Sequence, residues 1–264
     1  MIRQLPLRFW TTLLLLVVSV AGSYVIAGST TAETQNSVPA TNISSKPLPA
    51  ATNSLTKQPA QPITPDYQIP PITDGLAPVL STIPTQQKVV FLGIDDGLFK
   101  DPLVVKQMKR YNIKASLFLN DTSIRDNPGF FKALIEAGSL VENHTINHPN
   151  LTELSYDEQK QEICAEADIQ AEQFGRRPVL FRPPGGDYNQ DTQRAAADCG
   201  MQALVLWIAK ANGGEMQYQT GDSLQPGDIV LMHFRPEFAE DMRAFAEAQD
   251  AAGLQTELLE DWLP

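Results

Sequence analysis

From Lys88 onward, short apolar runs rich in β-branched and aromatic residues alternate with longer stretches whose apolar positions recur every three or four residues. The short runs are KVVFLGI, KASLFL, SLVEN, PVLF, QALVLWIA and DIVLMHF, six predicted strands, with LQTELL the candidate for a seventh. The helical pattern falls on PLVVKQMKRYN, NPGFFKALIEAG, SYDEQKQEICAEADIQAEQFG, DTQRAAADCG and PEFAEDMRAFAEAQDAAG. Ser155 is a good N-cap for the third of these and Gly175 a good stop. Strands that are apolar throughout and alternate with helices predict a parallel α/β sheet covered on both faces. Six or seven strands are too few for a full eight-fold barrel, which leaves an incomplete, distorted (β/α) barrel in competition with an open doubly wound sheet.

The first residues carry a different pattern. Arg3 and Arg8 precede an apolar run, Phe9–Ala27, that contains no charge. A positive start and an apolar stretch near the lower limit for spanning a bilayer fit two readings, a cleaved signal peptide ending near Ala27 or a retained anchor. The length of the run favours the anchor, and both readings export the rest of the chain, extracytoplasmic and membrane-tethered or secreted. From residue 28 to 84 lie ten of the twenty prolines, among Ser, Thr, Asn and Gln. This composition predicts a disordered linker, whose more apolar end, YQIPPITDGLAPVLSTIPT, is suited to lie on the domain as an extended strap. The folded domain is expected over residues 85–264.

Charge narrows the partners. Residues 1–74 carry four Lys or Arg against three Asp or Glu, a net of +1, so with −11 for the whole chain the rest carries −12. An acidic domain is a poor match for nucleic acid, whereas a glycan is compatible. The two cysteines, Cys164 and Cys199, are either a bridge or two buried thiols; an exported compartment favours the bridge.

The polar residues within the apolar pattern sit at the predicted strand ends. Asp95 and Asp96 directly follow the first strand, His144 follows the third, Arg182 the fourth, and His233 closes the last. In parallel α/β folds these ends share one face, where active sites are built. His144 and His148 are spaced for one helix face, but Pro149 disfavours helical geometry at His148, so a compact turn presenting both rings is the better reading. Two imidazoles and one carboxylate hold a metal with an open position for water. A second carboxylate can then take that water's proton, and a histidine opposite can protonate a leaving group.

GIDDG, HTINH, RPPGG and LMH, in that order and on those elements, resemble the polysaccharide deacetylases, the NodB-homology group of carbohydrate esterases (family 4). The resemblance spans roughly Lys88 to Gly253. It implies a distorted, incomplete (β/α) barrel with one divalent metal, most often Zn²⁺, with Co²⁺, Mn²⁺ or Ni²⁺ as alternatives. It also implies removal of N- or O-acetyl groups from glycans such as peptidoglycan, chitin or xylan. Carried over by position, Asp95 is the general base, and Asp96, His144 and His148 are the metal ligands. Arg182 tethers Asp95, and His233 is the general acid. The oxyanion lies near the backbone N–H of Gly185, with Trp207 as groove wall. The expected form is a monomer acting on a peptidoglycan or chitin-like oligomer.

The sequence departs from the family at three places. Leu98 replaces a proline after Asp-Asp-Gly, Gly185 replaces an aromatic, and LWIAKANGGEM keeps Trp207 but lacks the aspartate that orients the catalytic histidine. Asp228 and Asp241 are the candidate substitutes. The missing carboxylate keeps open a catalytically weak or inactive glycan-binding module; a hydrolase of other non-peptide C–N bonds is a further alternative.

Overall fold

The short apolar runs form a single sheet of ten strands in the computed structural model, which describes residues 63–264. They are β1 (Val79–Leu80), β2 (Val89–Asp96), β3 (Ser116–Leu119), β4 (Leu140–Asn143), β5 (Leu180–Phe181), β6 (Ala203–Val205), β7 (Ala209–Asn212), β8 (Glu215–Tyr218), β9 (Ile229–His233) and β10 (Gln255–Glu257). Helices α1 (Pro102–Tyr111), α2 (Asp121–Ile124), α3 (Gly129–Glu136), α4 (Tyr156–Phe174), α5 (Gln190–Asp198) and α6 (Phe238–Ala252) connect them. The order is β1-β6-β5-β4-β3-β2-β9-β7-β8, with β10 also on β2, and every pairing is parallel except the β7–β8 hairpin. The result is a mixed α/β fold whose sheet curls into an incomplete barrel.

Side-chain alternation along the strands divides the core. Phe91, Phe118, Leu180, Val205 and Ile229 fill the concave side, while Leu92, Ile94, Leu117 and Val230 meet α1, α3 and α6 outside. A third cluster, with Ile163, Ala167, Ala195 and Ala196, packs α4 and α5 on the sheet. Ser155 caps α4 through a reciprocal pair with Glu158, and Gly175 ends it at φ 74°, the left-handed stop that favours glycine. Cys164 on α4 is bonded to Cys199 at the end of α5, joining the two helices across 35 positions.

The sequence places QALVLWIA in one strand, but the segment breaks at 206–208. Before the break, β6 pairs with β5 and β1; after it, β7 pairs with β9. Leu206 N–H donates to Leu80 (2.6 Å) and Ile208 N–H to Ile229 (3.0 Å), so one segment crosses the seam between the two edges of the sheet. The hairpin that follows turns at Gly213 and Gly214, both at positive φ, as a tight two-residue hairpin requires.

Composition assigned residues up to 84 to a disordered linker with an apolar end suited to a strap; the strap forms, and only the extent of the disordered part needs correction. Residues 63–84 lie on the domain: Ile69, Ala77, Leu80 and Ile83 are buried, β1 adds a strand to the sheet, and Thr82 bridges to Asp228. Burial of these spaced apolar side chains offsets the ordering cost that proline and serine content alone suggested. Gly227 admits this strap, since a Cβ there would lie 1.8 Å from the Ile83 carbonyl oxygen. Trp262, edge-on to Phe91, and the Ile69 N–H bond to its carbonyl (2.9 Å) close the same end of the barrel, leaving the strands' C-terminal ends open. Among the described residues no helix is long and apolar enough to cross a membrane; the Phe9–Ala27 segment and the linker up to residue 62 lie outside them.

Several carboxyls are buried against the sheet. Burial pushes Glu166 on α4 up to about 9, against the bond from Gln170 (2.8 Å) that opposes the shift. A raised carboxyl pKa stabilises the fold fully below the unfolded value, and this contribution is lost as pH rises toward the folded one. Glu166→Gln should therefore gain stability over wild type, by roughly 4 kcal/mol more at pH 8 than at pH 5. Urea unfolding at the two pH values measures the difference.

Candidate active site

Asp95, Asp96, His144, His148, Arg182 and His233 all come to the open end. Register accounts for this: Asp96 pairs with Leu119, Leu119 with Asn143 and Asn143 with Phe181, so the ends of β2 to β5 form one row. On the other side of β2, Asp95 pairs with His233. Paired residues on adjacent strands share a face, so Asp95 and His233 leave the sheet together.

Arg182 is the centre of the arrangement and is fully buried. Its Nη1 donates to Asp95 Oδ1 (2.7 Å), its Nε to the Val205 carbonyl (3.0 Å) and its Nη2 to that of Leu206 (3.4 Å). The guanidinium lies 4.2 Å from the Phe118 ring centroid and 5.8 Å from that of Trp207. Burial pulls the Arg182 pKa below its ordinary value, and the Asp95 carboxylate opposes this. The cation crosses the barrel only because residue 93 is glycine: a Cβ there would stand 2.4 Å from Nη1. Sequence reading passed over Gly93, although a glycine inside an apolar strand signals a close approach.

The main chain of Arg182 sets the histidine. Its carbonyl lies 2.6 Å from His144 Nδ1, which fixes Nδ1 as the donor and leaves Nε2 with its lone pair toward the mouth. Burial, the largest cause, lowers the His144 pKa despite the nearby Asp95 and Asp96, favouring the neutral ring that a metal needs. His144 Nε2 is 3.6 Å from Asp96 Oδ1, and His148 Nε2 is 3.4 Å from the same oxygen.

Consecutive strand residues point to opposite faces, yet Asp95 and Asp96 serve one mouth. Asp96 at φ 72° leaves strand geometry and turns its carboxylate to the histidines, where Asn120 Nδ2 donates to it (3.2 Å). Thr145 (φ 67°) and His148 (φ 56°) are also left-handed, so HTINH is a tight turn rather than a helix. Thr145 N–H donates to Asn143 Oδ1 (2.9 Å) and His148 N–H to Thr145 Oγ1 (3.0 Å).

This donor set fits a divalent cation. Ligands about 2.0–2.2 Å from a tetrahedral ion lie roughly 3.3–3.6 Å apart. The His–Asp96 spacings match, and all three donor atoms lie within 4.8 Å of one another. Asp96, His144 and His148 would hold the ion.

Gly185 and Gly186 follow Arg182 at positive φ, and a Cβ on Gly186 would meet Trp207 Cη2 at 2.9 Å, so the indole packs on that turn. Neither candidate orienting carboxylate serves His233. Asp228 precedes β9, at the far end of the strand from His233, and accepts from Gln225 N–H (2.8 Å). Asp241 is held by Arg235 Nη2 (2.6 Å) and Gly214 N–H (2.8 Å).

Comparisons with known proteins agree with this geometry. Residues 82–204 match the family model for polysaccharide deacetylases. The uncharacterized protein SCO4760 of Streptomyces coelicolor is 38% identical over 194 residues, 71% of this chain and 78% of that one. A peptidoglycan-N-acetylglucosamine deacetylase of Bacillus cereus is 28% identical over 163 residues, 57% of this chain and 75% of its own. Among solved structures, the Bc1960 peptidoglycan N-acetylglucosamine deacetylase superposes with a TM-score of 0.62 at 22% identity, covering 71% and 93% of the two chains. A mutant of BA3943, a CE4 family pseudoenzyme with restored activity, gives 0.58 at 23%, covering 68% of each. The chain belongs to the polysaccharide deacetylase family, carbohydrate esterase family 4.

Gly93→Ala should push the guanidinium off Asp95 and leave a buried pair broken, a loss of about 3–5 kcal/mol. Thermal melting checks this; a variant melting at the wild-type temperature would show that the barrel accommodates the methyl.

Proposed function

We propose that the chain removes N-acetyl groups from a cell-wall glycan, with peptidoglycan the leading substrate. The observation that carries this reading is the convergence of a three-donor metal cluster, an arginine-tethered aspartate and a strand-end histidine on one open face. A divalent cation, Zn²⁺ foremost, would polarise the acetyl carbonyl and acidify an attacking water.

The protein groups divide the remaining work. Asp95 Oδ1 is committed to Arg182, while Oδ2, 3.8 Å from His144 Nε2, is the oxygen free to take a proton from water. His233, leaving the sheet beside Asp95, delivers a proton to the departing amine, so the C–N bond breaks to acetate and free amine. The Gly185 turn offers a backbone N–H to the developing oxyanion, and Trp207 forms a wall for the sugar. The basic, apolar N-terminus supports action outside the cytoplasm, tethered or secreted.

A second reading, a glycan-binding module with little turnover, is favoured by one observation. Among the described residues no carboxylate bonds to His233. Acetate release from peptidoglycan and N-acetylglucosamine oligomers separates the two. The hydrolase should need Zn²⁺ or Co²⁺ and stop with EDTA; binding without release under every metal would support the module. Asp95→Asn should keep the metal and lose roughly 10²–10⁴-fold in kcat. Full activity in that variant would sink the mechanism.

A further inference from the structure

The two histidines are held very differently. His144 is buried, with its ring anchored on Arg182, whereas the side chain of His148 is 43% exposed; its ring meets Asp96 Oδ1 (3.4 Å) and the edge of the His144 ring, and among the described residues no hydrogen bond holds it. The position of His148 Nε2 therefore depends on the backbone of the 144–148 turn, which contains two left-handed residues other than glycine. Such conformations cost of order 1–3 kcal/mol each and persist only where the surroundings impose them.

Part of what imposes them is a side chain from another element. Glu162 Oε2 accepts the N–H groups of Ile146 (3.1 Å) and Asn147 (2.9 Å), and its Oε1 accepts Asn147 Nδ2 (2.7 Å). These two amides lie between the left-handed residues, and one carboxylate takes both. The opposite side of the turn rests on α2, where Thr122 N–H donates to the Ile146 carbonyl (3.0 Å). The helix bearing Glu162 is itself pinned: Asn143 Nδ2 donates to the Ile163 carbonyl (2.8 Å), and Cys164 is bonded to Cys199.

We propose that Glu162 is the positioning residue that sets His148 for metal binding. This rests on the metal reading of Asp96, His144 and His148, and it assigns Glu162 no contact with metal or substrate. Its carboxylate neutralises the paired amides of the turn and so fixes the direction of the His148 ring. Loss of an outer partner of this kind typically costs about 10–100-fold in metal affinity.

The test is metal binding by the whole protein, read by chelator competition with Zn²⁺ and by the visible absorption of bound Co²⁺, together with metal-free melting. Glu162→Ala should weaken Zn²⁺ about tenfold or more and alter the Co²⁺ spectrum, with metal-free melting close to wild type. Glu162→Gln, which keeps acceptor oxygen at the turn, should recover most of the affinity and the spectrum. Wild-type affinity and spectrum in Glu162→Ala would overturn the proposal, as would an affinity loss matched by collapse of the metal-free fold in both variants. A wild-type protein that binds neither ion would instead refute the metal reading itself, so the two failures are distinct.

Discussion

The buried Arg182 guanidinium is the constraint on which the rest of the site depends. A cation in the concave side of a barrel carries a desolvation cost of several kcal/mol, and one carboxylate rarely repays it. Here Asp95, two carbonyls and the face of Phe118 share the task, and Gly93 supplies the space. The same residue's carbonyl sets the His144 tautomer. Aspartate and histidine are thus positioned by one side chain and one peptide group, and movement of β5 would disturb both.

Stability and chemistry occupy opposite ends of the barrel. The closed end is sealed by the strap, the Trp262 turn and buried acids; burial and then the charge of Glu142 hold Glu260 well above the carboxylate range. Glu142 accepts the N–H groups of Val179 and Leu180 at the start of β5, whose next turn carries Arg182. A residue of β4, two positions before the metal turn, thereby helps place the strand that orients it. The open end, by contrast, concentrates positive-φ residues at Asp96, Thr145 and His148. Such strain is affordable at a site when packing elsewhere supplies the stability.

Much of the site was legible in sequence because strand ends in parallel sheets converge by topology, so Asp95, His144, Arg182 and His233 could be grouped before any coordinates. Pro149 correctly removed the helix from HTINH. What escaped depends on tertiary contact. The strap was visible as the linker's apolar end, but its addition of β1 to the sheet was not, because the surfaces that receive Ile69 and Ile83 leave no mark on composition. Gly93 and the hairpin at Gly213–Gly214 left signals that a count of apolar runs passes over. Glu162 left none, being one acid among many on a polar helix.

The two halves of the proposed chemistry are built to different standards. On the attack side, three groups have a fixed partner: Asp95 on Arg182, His144 on the Arg182 carbonyl, Asp96 on Asn120. On the departure side, Leu206 precedes Trp207 where the family places an aspartate, and its peptide is already engaged by Arg182 and Leu80. That segment crosses the seam of the barrel, so its backbone is committed to closing the fold. A carboxylate from Asp228 is at the wrong end of β9, and Asp241 is engaged by Arg235. The fold gives Asp95, Asp96 and His144 their partners, whereas no carboxylate among the described residues bonds to His233.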